Sequence, residues 1–530
     1  MPPSATLPET TSQAPAVRAQ KTSGPGKAIL IVLAGVICVA ALIGASLWPF
    51  SQARVLQNLR EASDSEIAVR NFRRTYFPYP GCVLEGVTFQ HGTPQNHPLI
   101  SADKVIIEGT YGGILAKRIH RITAEGVRIA IPPLGTGQDF HTTPSELTVE
   151  EFVANGATVE FESFDSAKEP LRFDIHEAFL QNIAPSGPFN YRVKVRNPEP
   201  PGELSVQGKF GGWNHNDAGQ TPLSGQYTFE QADLSVYDGV AGKLSSSGKF
   251  GGPLEHIDIS GATDVPDFEV TSAGHTVHLT TKFDAYVDGV HGDTFLKRVD
   301  ADFGKTHVVA KGSIARSPNG ISKTAILDFS GSQARIDDLL RLFVQAKRPP
   351  MSGSVTLRAH VEVPPGDDQF LKKLKLQGHF GIQSGEFSNP ATQKGVDQLS
   401  AGALGQKDPP DPETVLTDLT GQVDAVEGIA KFADLSFGVP GASARMHGTY
   451  NLLNYKIDLR GQMRVDSKIS NTEQGGKALL LKMIEPFFKK KKKGEIVPVR
   501  ISGNYQHPSF GLDLNDKKAQ KVPTPSGTSK

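Results

Sequence analysis

The sequence predicts a mainly β protein: a long, curled antiparallel sheet with an apolar groove, few short helices, and one N-terminal transmembrane helix. Three observations carry this expectation. Residues from Ala28 to Trp48, AILIVLAGVICVAALIGASLW, contain no charge, and at about 1.5 Å per residue a helix of that length crosses ~30 Å of hydrocarbon. Strict alternation recurs downstream: Val355 to Val363 reads VTLRAHVEV and Ile457 to Asp466 reads IDLRGQMRVD, a period of two that puts every apolar side chain on one face of a strand. A glycine also returns at one phase of that alternation. It does so ten times, in IEGTY, VQGKF, LSGQY, AKGSI, MSGSV, LQGHF, LTGQV, MHGTY, LRGQM and ISGNY.

Taken in chain order, residues 1–27 are rich in Pro, Ser, Thr and Ala and are expected to be a disordered cytoplasmic tail. Residues 28–48 are the expected anchor. A cleaved signal peptide is the rival reading, since Gly44 and Ser46 are small enough for a peptidase, but its apolar region is only ~7–15 residues long. Arg18, Lys21 and Lys27 precede the span, while Arg54 and Arg60 follow it. The balance favours a cytoplasmic N-terminus with the bulk of the chain exported. Residues 54–70 are expected to form a short helix leaving the membrane.

Beyond the span Cys82 is the one cysteine, so no intrachain disulfide is available and stability must come from packing and backbone hydrogen bonds. Further alternating segments lie near residues 125, 205, 375 and 500. Turn or linker signals separate them at Asn319-Gly320, PEPPGE (198–203), VPPGDD (363–368) and KDPPDPE (407–413). The domain expectation is an N-terminal segment over 49–132, a middle β region over 133–348, a C-terminal β region over 349–514 and a disordered tail over 515–530. Helical spacing is confined to Gln333–Phe343, with Asp337 and Asp338 in its first turn, and to Gly476–Phe488, interrupted by Pro486.

The glycines occupy the apolar phase, and glycine inside a strand marks a bulge, a bend or a close backbone approach. Gly208, Gly225, Gly312, Gly378, Gly448, Gly461 and Gly503 are therefore candidates for letting a wide sheet curl around its apolar face. The alternative is that they start strands after turns or make room for large side chains in an ordinary core. If the sheet curls, the groove lining is Val355, Leu357 and Val361; Leu376 and Phe380; Met446 and Tyr450; Ile457 and Leu459; and Val499, Ile501 and Tyr505.

Composition narrows the function classes. Fifty-six basic residues against 56 acidic ones leave no global field to attract a polyanion, so no nucleic-acid partner is expected. FGKTH at Gly304 lacks the second glycine of a phosphate-binding loop, where Val299 stands. His275 and His278 fall on opposite faces of a strand and cannot share a metal. With Trp48 in the span and Trp213 the one other tryptophan, a sugar-binding surface has little to build on. The expectation is no catalytic residue, no cofactor and no metal. Lys489, Lys490, Lys491, Lys492 and Lys493 are read as a solvated loop, or else as a contact for an anionic membrane surface, where each lysine is worth about 1 kcal/mol.

The ordered motifs resemble the AsmA-like family. FRRTYFPYPGCVLEGVTF (72–89), HPLISADKVIIEG (97–109) and RITAEGVRIAIP (121–132) after the span are similar to the start of such proteins. SGATDVPDFEV (260–270), VDADFGKTHVVAKGSI (299–314), RIDDLLRLF (335–343), GEFSNPATQKGVDQLSAGALG (385–405), the run 418–466 and PVRISGNYQHPSF (498–510) are similar to the C-terminal AsmA-like region. The resemblance covers nearly all of residues 28–514 and rests on diffuse β patterns.

It implies an anchor in the bacterial inner membrane, a periplasmic groove-bearing sheet, and kinship with bridge-like lipid transfer proteins. The implied partners are a phospholipid or other lipid, the inner membrane, and an outer-membrane or periplasmic protein. The implied role is non-enzymatic, in phospholipid transport or outer-membrane lipid homeostasis. The alternative is a scaffold or assembly factor for outer-membrane protein biogenesis, working through exposed strand edges.

Overall fold

The protein was studied as a computed structural model. It describes residues 52–513 except 64, 91–99, 117, 132–147, 162–169, 185–186, 213, 215–216, 290–291, 317–321, 367, 389–392, 394–416, 440–441, 466–495 and 505–506. The expected span 28–48, the expected helix Gly476–Phe488, Asn319-Gly320, KDPPDPE, Tyr505, Lys489 to Lys493 and the tail 515–530 thus lie outside the described residues. Among those described, no helix is long and apolar enough to cross a membrane.

Alternating side chains make strands, and strands dominate. In chain order they are β1 (Glu66–Thr75), β2 (Gly81–Gln90), β3 (Ile100–Gly109), β4 (Arg118–Glu125), β5 (Arg128–Ile131), β6 (Thr148–Phe161), β7 (Leu171–Ile183), β8 (Phe189–Pro198), β9 (Pro201–Phe210), β10 (Pro222–Asp233), β11 (Val240–Ala241), β12 (Lys243–Pro253) and β13 (Ile257–Val270). They continue as β14 (Thr276–Asp288), β15 (Asp293–Phe303), β16 (Thr306–Arg316), β17 (Lys323–Arg335), β18 (Met351–Val363), β19 (Lys375–Phe387), β20 (Thr417–Val426), β21 (Ile429–Val439), β22 (Ala442–Asn451), β23 (Lys456–Val465), β24 (Ile496–Asn504) and β25 (His507–Leu512). Among the described residues four short α-helices accompany them: α1 (Gln52–Ser63), α2 (Tyr111–Leu115), α3 (Ile336–Phe343) and α4 (Phe370–Lys373).

The described residues form a single 25-stranded sheet, and its strands lie side by side in nearly the order of the sequence. Each pairs antiparallel with the next, with two exceptions. β4 and β5 share one place between β3 and β6, and β6 runs parallel to both; the two-residue β11 pairs with β13 beside β12. The sheet is therefore mixed, where alternation alone suggested an antiparallel one. At about 4.8 Å per strand the sheet extends on the order of 100 Å.

Three local expectations are corrected by pairing. The helix expected over 54–70 ends at Ser63, because Glu66 to Val69 pair with Gln90 to Val87. PEPPGE is no linker: Pro198 faces Pro201 across a tight turn, and Asn197 Nδ2 donates to the Pro200 carbonyl at 2.9 Å. The helix expected from Gln333 begins at Ile336, since β17 runs on to Arg335, which faces Ser354.

Buried apolar clusters sit at different places along the sheet, and two regions of them pack under helices. The first gathers buried residues of β1 to β9 with Val55 and Leu59 of α1, including Leu84, Ile107, Ile122, Val149 and Phe210. The second lies under α3, whose Leu339 and Leu342 pack with Val308, Phe303 and Phe329 on one side, while Ile336 and Leu339 pack with Val355, Leu357 and Phe380 on the other. Asp338 of α3 reaches back to the β15–β16 turn, accepting from Lys305 N at 2.7 Å and Thr306 Oγ1 at 2.9 Å.

The sheet also coils. Gly239, after β10, and Phe370 of α4, after β18, lie at opposite ends of the strands and seven pairing steps apart, so in a flat sheet they would be on the order of 50 Å from each other. Instead a methyl group on Gly239 would lie 2.6 Å from Phe370 Cβ. A twist of roughly 20–25° per strand reorients the strands but keeps their sideways spacing, so the approach requires that the sheet also bends.

Candidate functional site

One face of this sheet is apolar from end to end. Starting at Phe72 on β1, the residues that face one another from strand to strand are Leu84, Val105, Ala124, Ala154, Ala178, Val193, Val206, Tyr227, Gly248, Gly261, Phe283, Val299, Ala310, Phe329, Ala359, Gly378, Val423, Phe432, Gly448, Leu459, Ile501 and Phe510. No charge interrupts the row. A second row runs beside it from Cys82 through Phe152, Tyr191, Gly208, Gly225, Phe250, Ile259, Leu296, Gly312, Leu327, Val361, Leu376, Tyr450 and Ile457 to Gly503, with apolar residues at the strands between.

The opposite face is polar. Arg192, Gln207, Gln226, Lys249, Ser260, Asp284 and Arg298 face one another in turn. Cross-strand pairs such as His278 with Asp264, His360 with Asp328 and Arg500 with Asp458 decorate it, as suits a surface held in water.

Exposure divides the apolar face. Over β2 to β6 its residues are buried by the first core. From Ala178 onward most row residues, among them Val206, Tyr227, Phe283, Val299, Phe329 and Phe432, are half-buried. No second sheet lies over them among the described residues. Soluble proteins rarely leave a contiguous apolar surface of that extent uncovered.

The groove candidates are brought onto this one face. Leu459 and Ile501 lie in the first row and Val361, Leu376, Tyr450 and Ile457 in the second. Leu357, Phe380, Met446 and Val499 share a third with Gly421, Leu435 and Gly461, and Val355 faces Ile382 in a fourth. Val355, Met446 and Leu459 are 2%, 3% and 6% exposed, so they serve packing, whereas the other described candidates keep open surface.

Both readings of the glycines hold, at different positions. At Gly208, Gly312, Gly448 and Gly461 an added Cβ would strike the carbonyl of the adjacent strand, which marks close backbone approach; Gly312 and Gly448 also sit at φ 151° and 150°. At Gly225 an added Cβ would meet both the Gln207 carbonyl at 2.5 Å and the Phe250 ring at 2.7 Å. Gly248 and Gly261 likewise face a carbonyl, of Ser260 and Ser247, with the Tyr227 ring or hydroxyl next, whereas at Gly421 the Phe380 ring is nearest. Gly378 is less crowded, with the Arg358 carbonyl 3.1 Å from an added Cβ, and Gly503 is exposed at the end of the second row.

Sequence reading missed the interval where the lining is partly hydroxylic. Ser246, Thr263 and Thr281 face one another between Phe229 and Ala301. Their hydroxyls are satisfied locally: Tyr227 with Ser246 at 3.1 Å, Thr263 with Thr281 at 2.7 Å. Paired this way they add little polarity to the surface.

His275 contacts the Ala346 carbonyl and His278 contacts Asp264. Among the described residues no group of three or more His, Cys, Asp or Glu could hold a metal. Burial pushes the Cys82 thiol up to about 12, leaving it a small apolar core residue. No known protein family, curated protein or solved structure matches this chain.

Proposed function

We propose that this chain is a non-enzymatic, inner-membrane-anchored periplasmic protein that shields lipid acyl chains in its apolar groove, in phospholipid transport or outer-membrane lipid homeostasis. The observation that carries the reading is the uninterrupted apolar row on a half-exposed face. Each CH₂ removed from water is worth about 0.8 kcal/mol, so an acyl chain of about sixteen carbons needs on the order of 10 kcal/mol of shielding. The half-buried stretch from β7 to β24 supplies an apolar surface longer than such a chain, while the headgroup stays in water at a rim. The resemblance to AsmA-like proteins and the charge-free segment 28–48 support the anchored, exported topology.

The test places a charge on the lining at the margin of the second core, with the fold verified before lipid contact is read. Leu357 is half-buried and faces Phe380. Leu357→Asp, folded by circular dichroism, should abolish lipid crosslinking from a photoreactive residue at position 380. Unchanged lipid contact accompanied by loss of protein contact would replace this reading with the scaffold one.

A further inference from the structure

The three most exposed aromatic side chains of the described residues are not in the groove. Phe77 and Tyr76, in the β1–β2 turn, are 89% and 67% exposed and Tyr111, at the start of α2, is 63% exposed; Tyr79, in the same turn, is 42% exposed. Rings this large are rarely left in water without a partner. Two loops contribute them, and the loops are tied together: the Tyr111 hydroxyl donates to the Tyr76 carbonyl at 2.6 Å, and Gly109 N donates to the Pro80 carbonyl at 2.8 Å. Exposed Arg73, Arg74 and Arg118 flank them.

The position of α1 says what the cluster meets. Two residues separate α1 from β1, and Val55 and Leu59 are fully buried in the first core. The helix therefore folds back along the sheet, and its start points the way β1 runs. Twelve helical residues cover about 18 Å, whereas the ten residues of β1 cover about 33 Å. The aromatic turn thus projects ~15 Å beyond the helix start. Three residues link Trp48, the end of the charge-free segment, to Gln52, and the four Cα steps between those two residues span at most about 14 Å. The turn projects at least as far as the link can hold the helix start from the membrane surface.

We propose that Tyr76, Phe77, Tyr79 and Tyr111 insert into the headgroup region of the bilayer that holds the anchor, with Arg73, Arg74 and Arg118 over its anionic lipids, and so seat the first strands of the sheet on the membrane. Tyrosines favour that depth because an apolar ring carries a polar tip, and each arginine adds attraction to a negative surface. This inference rests on the anchored reading of residues 28–48, and its test separates the two.

The full chain is reconstituted into vesicles of phosphatidylcholine and phosphatidylglycerol, with an environment-sensitive fluorophore on a single cysteine. Cys82, 0% exposed, stays unlabelled. Phe77→Cys and Tyr111→Cys, each with Cys38→Ser, report the cluster. Leu453→Cys, 40% exposed in the β22–β23 turn far along the sheet, is the reference, and native Cys38, labelled in detergent beforehand, reports the anchor. Lipids brominated near the headgroup should quench positions 77 and 111 several-fold more than 453. Positions 77 and 111 as unquenched as 453, with Cys38 quenched by deep-brominated lipid, would overturn the docking and leave the anchor standing. An unquenched Cys38 would remove the anchor and the docking together, and equal quenching at 453 would overturn the specific role of the cluster.

Discussion

At Gly312 the backbone adopts φ 151° and passes so close to β17 that an added methyl would meet the Ile326 carbonyl. Gly312→Ala should therefore destabilise the sheet by roughly 1–3 kcal/mol, measured as a shift in the denaturation midpoint, whereas Ala at Gly378, where the nearest carbonyl stands 3.1 Å from an added Cβ, should cost less. Cys82 gives a second residue-scale outcome. Burial holds its thiol neutral, so the native protein should resist iodoacetamide at neutral pH and react once denatured. The sign follows from a raised folded pKa: the burial of Cys82 is fully favourable below the ordinary thiol pKa of about 8.5, and that advantage is lost as pH rises toward 12. What the sequence disclosed at this scale was the phase of the glycines. What it hid was which glycines face a carbonyl and which face a ring, because that depends on the strand opposite.

Asp338 shows how an element is fixed from outside itself. It holds α3 to the β15–β16 turn through Lys305 N and Thr306 Oγ1, and Thr306 is only 2% exposed. Asp338→Ala should cost about 1–3 kcal/mol and raise hydrogen exchange at Lys305 and Thr306 ahead of the rest of the sheet. Between β23 and β24 the tie is ionic: Arg500 Nε donates to Asp458 Oδ1 at 2.9 Å, and with Arg460 it holds that carboxyl below the usual range. A lowered folded pKa contributes stability above the ordinary aspartate pKa of about 3.9 and loses it as pH falls through the folded value. Asp458→Asn should therefore cost under ~1 kcal/mol at neutral pH, with the difference disappearing in strong acid.

Elements were legible in proportion to their regularity. VTLRAHVEV and IDLRGQMRVD lie almost wholly within β18 and β23. The segment 64–70 misled because its composition suits a helix, and only the pairing of β1 with β2 decides for a strand. The parallel placement of β6 was invisible for a related reason: alternation gives a strand its faces but not the direction of its neighbour.

For the whole molecule, the rows matter more than any strand. Each strand presents only a few apolar residues inward, and the register aligns them into continuous lines from β1 to β25. In the proposed reading the bend seen where Gly239 meets Phe370 turns that face inside and leaves the charged pairs outside. Alternation predicted one apolar face per strand; the alignment of many strands lay in long-range pairing, which a single sequence does not display.

The measurement that bears most directly on the groove places a photoreactive amino acid on the two faces of the same strand, at Phe283 in the first row and at Lys282 beside it on the polar face, in living cells. Irradiation followed by mass spectrometry should give phospholipid adducts at position 283 and none at 282. Equal lipid adducts at both positions, or only protein adducts at 283, would contradict the account.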